Sequence, residues 1–129
     1  MKKYIKEIII TIKPWGEEHL FALTKKYAAK ILLIKKGHRL SLQYHNKKEE
    51  TLYLQEGVLK LSIGKNNECL QSQTVHKGCI FHLPIKTVHR MEALEDSRLV
   101  EVSTPELNDV VRLDDDYRRA STRNNISKK

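Results

Sequence analysis

Long apolar runs are missing from this sequence. Runs such as Ile8-Ile9-Ile10 and Ile31-Leu32-Leu33-Ile34 fall far short of the roughly 20 residues that a membrane-spanning helix needs, so no membrane partner is expected. The opening stretch from Met1 to Glu7 has no apolar segment of signal-peptide length, and the expected compartment is the cytoplasm. Cysteine is scarce. Cys69 and Cys79 stand ten apart, form no C-x-x-C pair and have no histidine at zinc-finger spacing, so both are expected to be small buried or half-buried fillers. No internal repeat, low-complexity segment or Gly-rich nucleotide loop is present. Acidic residues are absent from Arg118 onward, while Arg118, Arg119, Arg123, Lys128 and Lys129 are basic. That tail carries most of the net charge of +8. No helix-turn-helix, zinc-finger or aromatic stacking pattern accompanies it, so nucleic acid is not an expected partner.

What remains is a chain of 129 residues, 40% apolar and 31% charged, enough for one core. Its apolar residues come in short segments separated by turn signals. Ile8 to Ile12, Ala28 to Ile34, Leu40 to His45 and Thr51 to Gln55 read as strands. So do Leu59 to Ile63, Thr74–Val75, Cys79 to Leu83, Val88 to Ala93 and Leu99 to Ser103. Only Glu17 to Lys26 offers a short helix or wide turn, and Pro105 to Tyr117 reads as irregular or briefly helical. Many short strands at a spacing of about 8–12 residues predict an all-β sandwich or barrel. The expected organisation is one domain over residues 1–119 with a basic tail over 120–129.

Ligands that point into one barrel lumen must recur every second residue, because side chains alternate faces along a strand. Gln43 and His45 meet that condition, with Ser41 on the same face. Glu50 shares parity with Leu52 and Leu54, and His89 opens a later strand. Together Gln43, His45, Glu50 and His89 form a mixed nitrogen and oxygen set suited to Zn²⁺, Mn²⁺, Co²⁺ or Fe²⁺. A glutamine in place of a third histidine argues against oxygen-activating iron. His19, His38, His76 and His82 are read as ordinary surface or core residues.

These residues carry a resemblance. Gly37-x5-Gln43-Tyr44-His45-x4-Glu50-x6-Gly57 resembles the first cupin motif, and Gly78-x5-Pro84-x4-His89 the second. The match is closer to the cupin module of type II mannose-6-phosphate isomerases. Lys13-Pro14-Trp15-Gly16 resembles that family's "R/K-P-W-G", Leu40 to His45 its "L-S-L-Q-x-H", His89-Arg90-Met91-Glu92 its "H-R-L-E-N", and Val110 to Tyr117 its "I-V-R-F-E-D-x-Y-G-R". The sequence departs from the family at Lys86 and Arg118, where the family has glycine, and at Ala93, where it has asparagine.

The resemblance implies a double-stranded β-helix, or jelly-roll, barrel. It implies one divalent metal on Gln43, His45, Glu50 and His89, with Zn²⁺ the first expectation and Mn²⁺, Co²⁺ or Fe²⁺ the alternatives. It implies interconversion of mannose 6-phosphate and fructose 6-phosphate, or of a related sugar phosphate, with Arg112 at the family's functional arginine. In such a reaction a base must move a proton between C1 and C2. Glu101, which alternates with Val100 and Val102, is one candidate, and Lys30 is the other. For Lys30 the plainer reading is a surface lysine, and for Arg112 an ion pair with Asp114, Asp115 or Asp116. The alternatives are another metal-dependent cupin enzyme of sugar metabolism, or a cupin that binds metal or sugar without catalysis. A small barrel with uncovered strand edges is also expected to form a homodimer.

Overall fold

The structure, a computed structural model, describes residues 1–119; the predicted basic tail at 120–129 lies outside the described residues. After a 3₁₀ turn at Lys2–Tyr4 the chain is built from strands. They are β1 (Ile9–Lys13), β2 (Gly16–Leu23), β3 (Ala28–Ile34), β4 (Leu42–Tyr44), β5 (Glu50–Glu56), β6 (Val58–Gly64), β7 (Gln71–His76), β8 (Ile80–Leu83), β9 (Val88–Ala93), β10 (Ser97–Ser103) and β11 (Val111–Asp114). They form two antiparallel sheets, ordered β1-β2-β3-β10-β5-β8 and β11-β4-β9-β6-β7. This is the two-sheet, all-β architecture predicted. Among the described residues no helix is long and apolar enough to cross a membrane.

Two segments differ from expectation. Glu17 to Lys26 contains no helix: it is mostly β2, which pairs with β1 on one side and β3 on the other. Its polar residues divide by parity. Glu18 turns inward, while Glu17 and His19 pair with each other at 2.8 Å. Hydrogen bonding along both edges outweighs the weak helical pattern. Within the segment expected to be irregular, residues 111–114 form β11, whose Arg112 lies opposite Gln43 of β4. Cys69 is also corrected: it is exposed, and only Cys79 is half-buried.

The two kinds of inward side chain separate along the strands. On β3 the buried positions run Ile34, Leu32, Lys30. On β5 they run Leu54, Leu52, Glu50; on β9, Ala93, Met91, His89; on β10, Leu99 then Glu101. One end of the space between the sheets is therefore an apolar plug of leucines, and Trp15 belongs both to this core and to the lining of the polar cavity. The other end is polar. Burying the apolar half stabilises the barrel at about 25 cal/mol per Å², which offsets the cost of holding charged groups at its other end.

The departures from the family's glycines have a backbone meaning. Lys86 and Arg118 are the two non-glycine residues with positive φ among the described residues, at 63° and 57°. A side chain in that left-handed region costs roughly 1–2 kcal/mol, which glycine avoids. Lys86 is held there by its N–H, which donates to the carbonyl of His45. Because the Lys86 side chain is exposed, Lys86→Gly is expected to raise unfolding free energy by about 1 kcal/mol in urea denaturation. An unchanged or lower value would contradict the strain.

Candidate metal centre

Both sheets contribute to one polar cluster. His89 of β9 lies opposite Gln43 of β4, which in turn lies opposite Arg112 of β11. Directly opposed residues share a face, so these three form one inward row. His45 follows the end of β4, and Glu50 enters from the first position of β5 in the other sheet. His45, Glu50 and His89 each place a ligand atom within 4.8 Å of the other two, and all three are buried. Glu50 Oε2 is 3.0 Å from His45 Nε2 and 3.6 Å from His89 Nε2. Gln43 donates its amide nitrogen to Ser41 Oγ at 2.8 Å, which engages the nitrogen rather than the oxygen a metal would take.

The histidines are oriented from behind. His45 Nδ1–H donates to the backbone carbonyl of Asp109 (2.6 Å) and His89 Nδ1–H to that of Thr87 (2.9 Å). Each bond turns Nε2 toward the cluster, the arrangement a metal-binding imidazole requires. Asp109, which the sequence reading did not single out, also steadies the loop between two ligands. Its carboxylate accepts backbone N–H bonds from Asn46, Lys47 and Lys48. Burial works to raise the Asp109 carboxyl, and those three donors outweigh it and hold it low.

Charge is balanced by a second unforeseen residue. Lys48 is 5% exposed, with Nζ 2.8 Å from Glu101 Oε2 and 3.4 Å from Glu50 Oε1. Burial opposes its charge, but the two carboxylates hold its pKa above the usual lysine value. Glu50 is only 5% exposed, yet the hydrogen bond from His45 and the charge of Lys48 outweigh burial and keep its carboxyl far below the ordinary range. Glu101 is pushed the other way, upward, by burial and by the charge on Glu50, against Lys48 and Lys30. Lys30 is no surface lysine: it is 7% exposed and pairs with Glu18 at 3.2 Å.

All the residues singled out from the sequence line one cavity of about 360 Å³. Lys13, Arg112 and Arg119 line it too. Burial and then the positive charges of Lys30, Arg119 and Arg112 lower Lys13, against Glu18. Arg112 is lowered by burial and by Arg119. Of the three aspartates considered as partners for Arg112, Asp115 acts on it, raising it against burial and Arg119, and also pairs with Arg119; Asp114 pairs with Arg90 and Asp116 with Arg39. The cavity thus holds a nitrogen and carboxylate cluster and a group of cations on one lining. The first fits a divalent cation: its donors are buried, converge, and include two imidazole nitrogens and a carboxylate held ionised.

This double sheet with an inward histidine and carboxylate cluster is a cupin barrel. The chain superposes on an RmlC-like cupin from Shewanella frigidimarina with a TM-score of 0.67 at 14% identity, covering 78% of this chain and 86% of that one. KdgF from Halomonas sp. gives 0.67 at 19% identity, over 78% and 87%. Oxalate decarboxylase from Bacillus subtilis gives 0.71 at 17%, over 83% of this chain and 30% of that one, so this chain spans under a third of it. That decarboxylase holds Mn(II) centres. Residues 2–115 match the family model described as mannose-6-phosphate isomerase C-terminal, and the chain belongs to that family. No curated protein sequence matches it.

Burial also pushes His89 down to about 4, against the raising effect of Glu50. In the unfolded chain this imidazole takes up a proton below about 6.5, whereas in the metal-free fold it stays neutral until about 4. Its contribution is therefore fully present above pH 6.5 and lost as pH falls to about 4, on the order of 3 kcal/mol across the window. The difference between wild type and His89→Gln in urea titrations from pH 7.5 to 4 (a range on the order of the window above) isolates it. Parallel pH dependences in the two proteins would contradict the assignment.

Proposed function

We propose that this chain is a metal-dependent aldose–ketose isomerase for a phosphorylated sugar, with mannose 6-phosphate and fructose 6-phosphate as the first pair to test. The observation that carries this reading is one cavity lined by both a metal-fitting cluster and several cations. A cluster that fits a divalent cation and a group of cations stand on one lumen, as a substrate with a reacting carbonyl at one end and a phosphate at the other requires.

Gln43, His45, Glu50 and His89 would hold the metal. Once bound, it supplies Lewis-acid stabilisation to the oxyanion that develops as the carbonyl shifts between C1 and C2. Arg112 holds the phosphate, assisted by Lys13 and Arg119, and sets the sugar's reach along the row toward Gln43 and His89. Glu101 is the base. Its Oε2 is tied to Lys48, so its other oxygen accepts the proton from carbon and returns it to the neighbouring carbon. Its upward-shifted carboxyl suits that exchange better than an ordinary glutamate. Lys30 lies opposite Glu101 in the β3–β10 register and is paired to Glu18, so it serves as a cation beside the base. The reading includes a cytoplasmic setting, and a second copy of the chain paired along β1, an edge strand whose Ile9, Ile10 and Ile12 are all exposed.

A coupled assay with mannose 6-phosphate tests it, using purified protein loaded with Zn²⁺, Mn²⁺ or Co²⁺ against a chelated control. Turnover is expected only with metal. His45→Ala should lose it by roughly 100-fold, and Arg112→Met should raise KM by about tenfold. Protein that demonstrably holds metal yet gives no turnover would contradict the isomerase reading and favour binding without catalysis.

A further inference from the structure

A buried lysine beside a metal centre is an unusual expense of charge. We infer that Lys48 is a positioning residue that sorts the two buried carboxylates of the cavity, limiting Glu50 to one metal-binding oxygen and holding Glu101 off the metal. The inference rests on the metal reading of the site and goes beyond it.

The geometry is specific. The Lys48 ammonium touches Glu50 at Oε1, 3.4 Å away, and the histidines approach Glu50 at Oε2. One oxygen is thus committed to the lysine and the other is presented to the imidazoles. The same ammonium is 2.8 Å from Glu101 Oε2. Glu101 lies outside the converging group of His45, Glu50 and His89 although one ammonium spans both carboxylates. A second buried carboxylate this near a divalent cation would be drawn to it by Coulomb attraction strengthened in a low-dielectric interior. Lys48 supplies the competing cation. Its side chain is shut in, 6% exposed, and its own backbone N–H donates to the Asp109 carboxylate, so the ammonium has one place to go. With it present, the groups around the metal carry two negative charges and one positive. Without it, both carboxylates face the metal unopposed.

Removing the ammonium therefore changes the coordination sphere as well as the stability. Cobalt reads this directly, because its visible absorption weakens as coordination number rises above four. The proteins compared are full-length wild type, Lys48→Met, Lys48→Arg and the double variant Lys48→Met with Glu101→Gln, each titrated with Co²⁺. Lys48→Met is expected to bind Co²⁺ more tightly with a weaker, shifted visible band, as Glu101 joins the metal. Lys48→Arg should keep the wild-type band. The double variant removes Glu101 as a ligand but leaves Glu50 Oε1 without its lysine. Its band should lie between those of wild type and Lys48→Met. A Lys48→Met spectrum identical to wild type would overturn the inference while leaving the metal site standing, as would an altered band that Glu101→Gln leaves wholly unshifted. Wild type that takes up no Co²⁺ would overturn the metal reading and this inference together.

Discussion

A carboxylate buried at 5% exposure has to be kept ionised by its neighbours, and Glu50 is kept so by three of them. His89 approaches its Oε2 from β9, and His45 and Lys48 approach its two oxygens from the loop that joins β4 to β5. Breaking such a buried set by removing one member typically costs 3–5 kcal/mol, because the remaining charge has no water to turn to. The rest of the barrel can be read as the means of holding this set. The leucine plug at one end fixes the strand registers, and those registers place Glu50 beneath His89 and Gln43 at the other end.

The second layer matters as much as the first. Carbonyls of Thr87 and Asp109 choose which imidazole nitrogen faces the cluster. Asp109 then fastens the backbone of residues 46–48, so one side chain governs both the orientation of His45 and the position of Lys48. Arg112 enters through the same sheet as Gln43, two strands from His89. With strands about 4.8 Å apart, Arg112 stands about one strand spacing from Gln43 and about two from His89.

Much of this was legible in the chain. Period-two alternation located Gln43, His45 and Glu50 on inward positions, and the same parity turned Glu101 toward the lumen. The strands that carry the cluster appeared near their observed places because their apolar residues alternate or run unbroken. Lys48 and Asp109 were not legible, since a lysine in the run Lys47-Lys48-Glu49-Glu50 reads as a solvated loop until the fold encloses it. Lys30, a candidate base whose plainer reading is a surface lysine, is hard to place from sequence for the same reason: its partner Glu18 lies on a strand expected to be a helix or turn. β2 itself was obscured because its polar residues split between the cavity and the outer face, which blurs the apolar signal.

The central claim is that His45, Glu50, His89 and Gln43 converge on one divalent cation. Anomalous diffraction from crystals grown with Zn²⁺ or Mn²⁺ tests it most directly. The account predicts a single strong anomalous peak inside the barrel, at roughly 2.0–2.2 Å from both histidine Nε2 atoms and Glu50 Oε2, with the Gln43 amide oxygen turned toward it. A peak confined to surface histidines such as His82, with the interior cluster closed on itself, would contradict it.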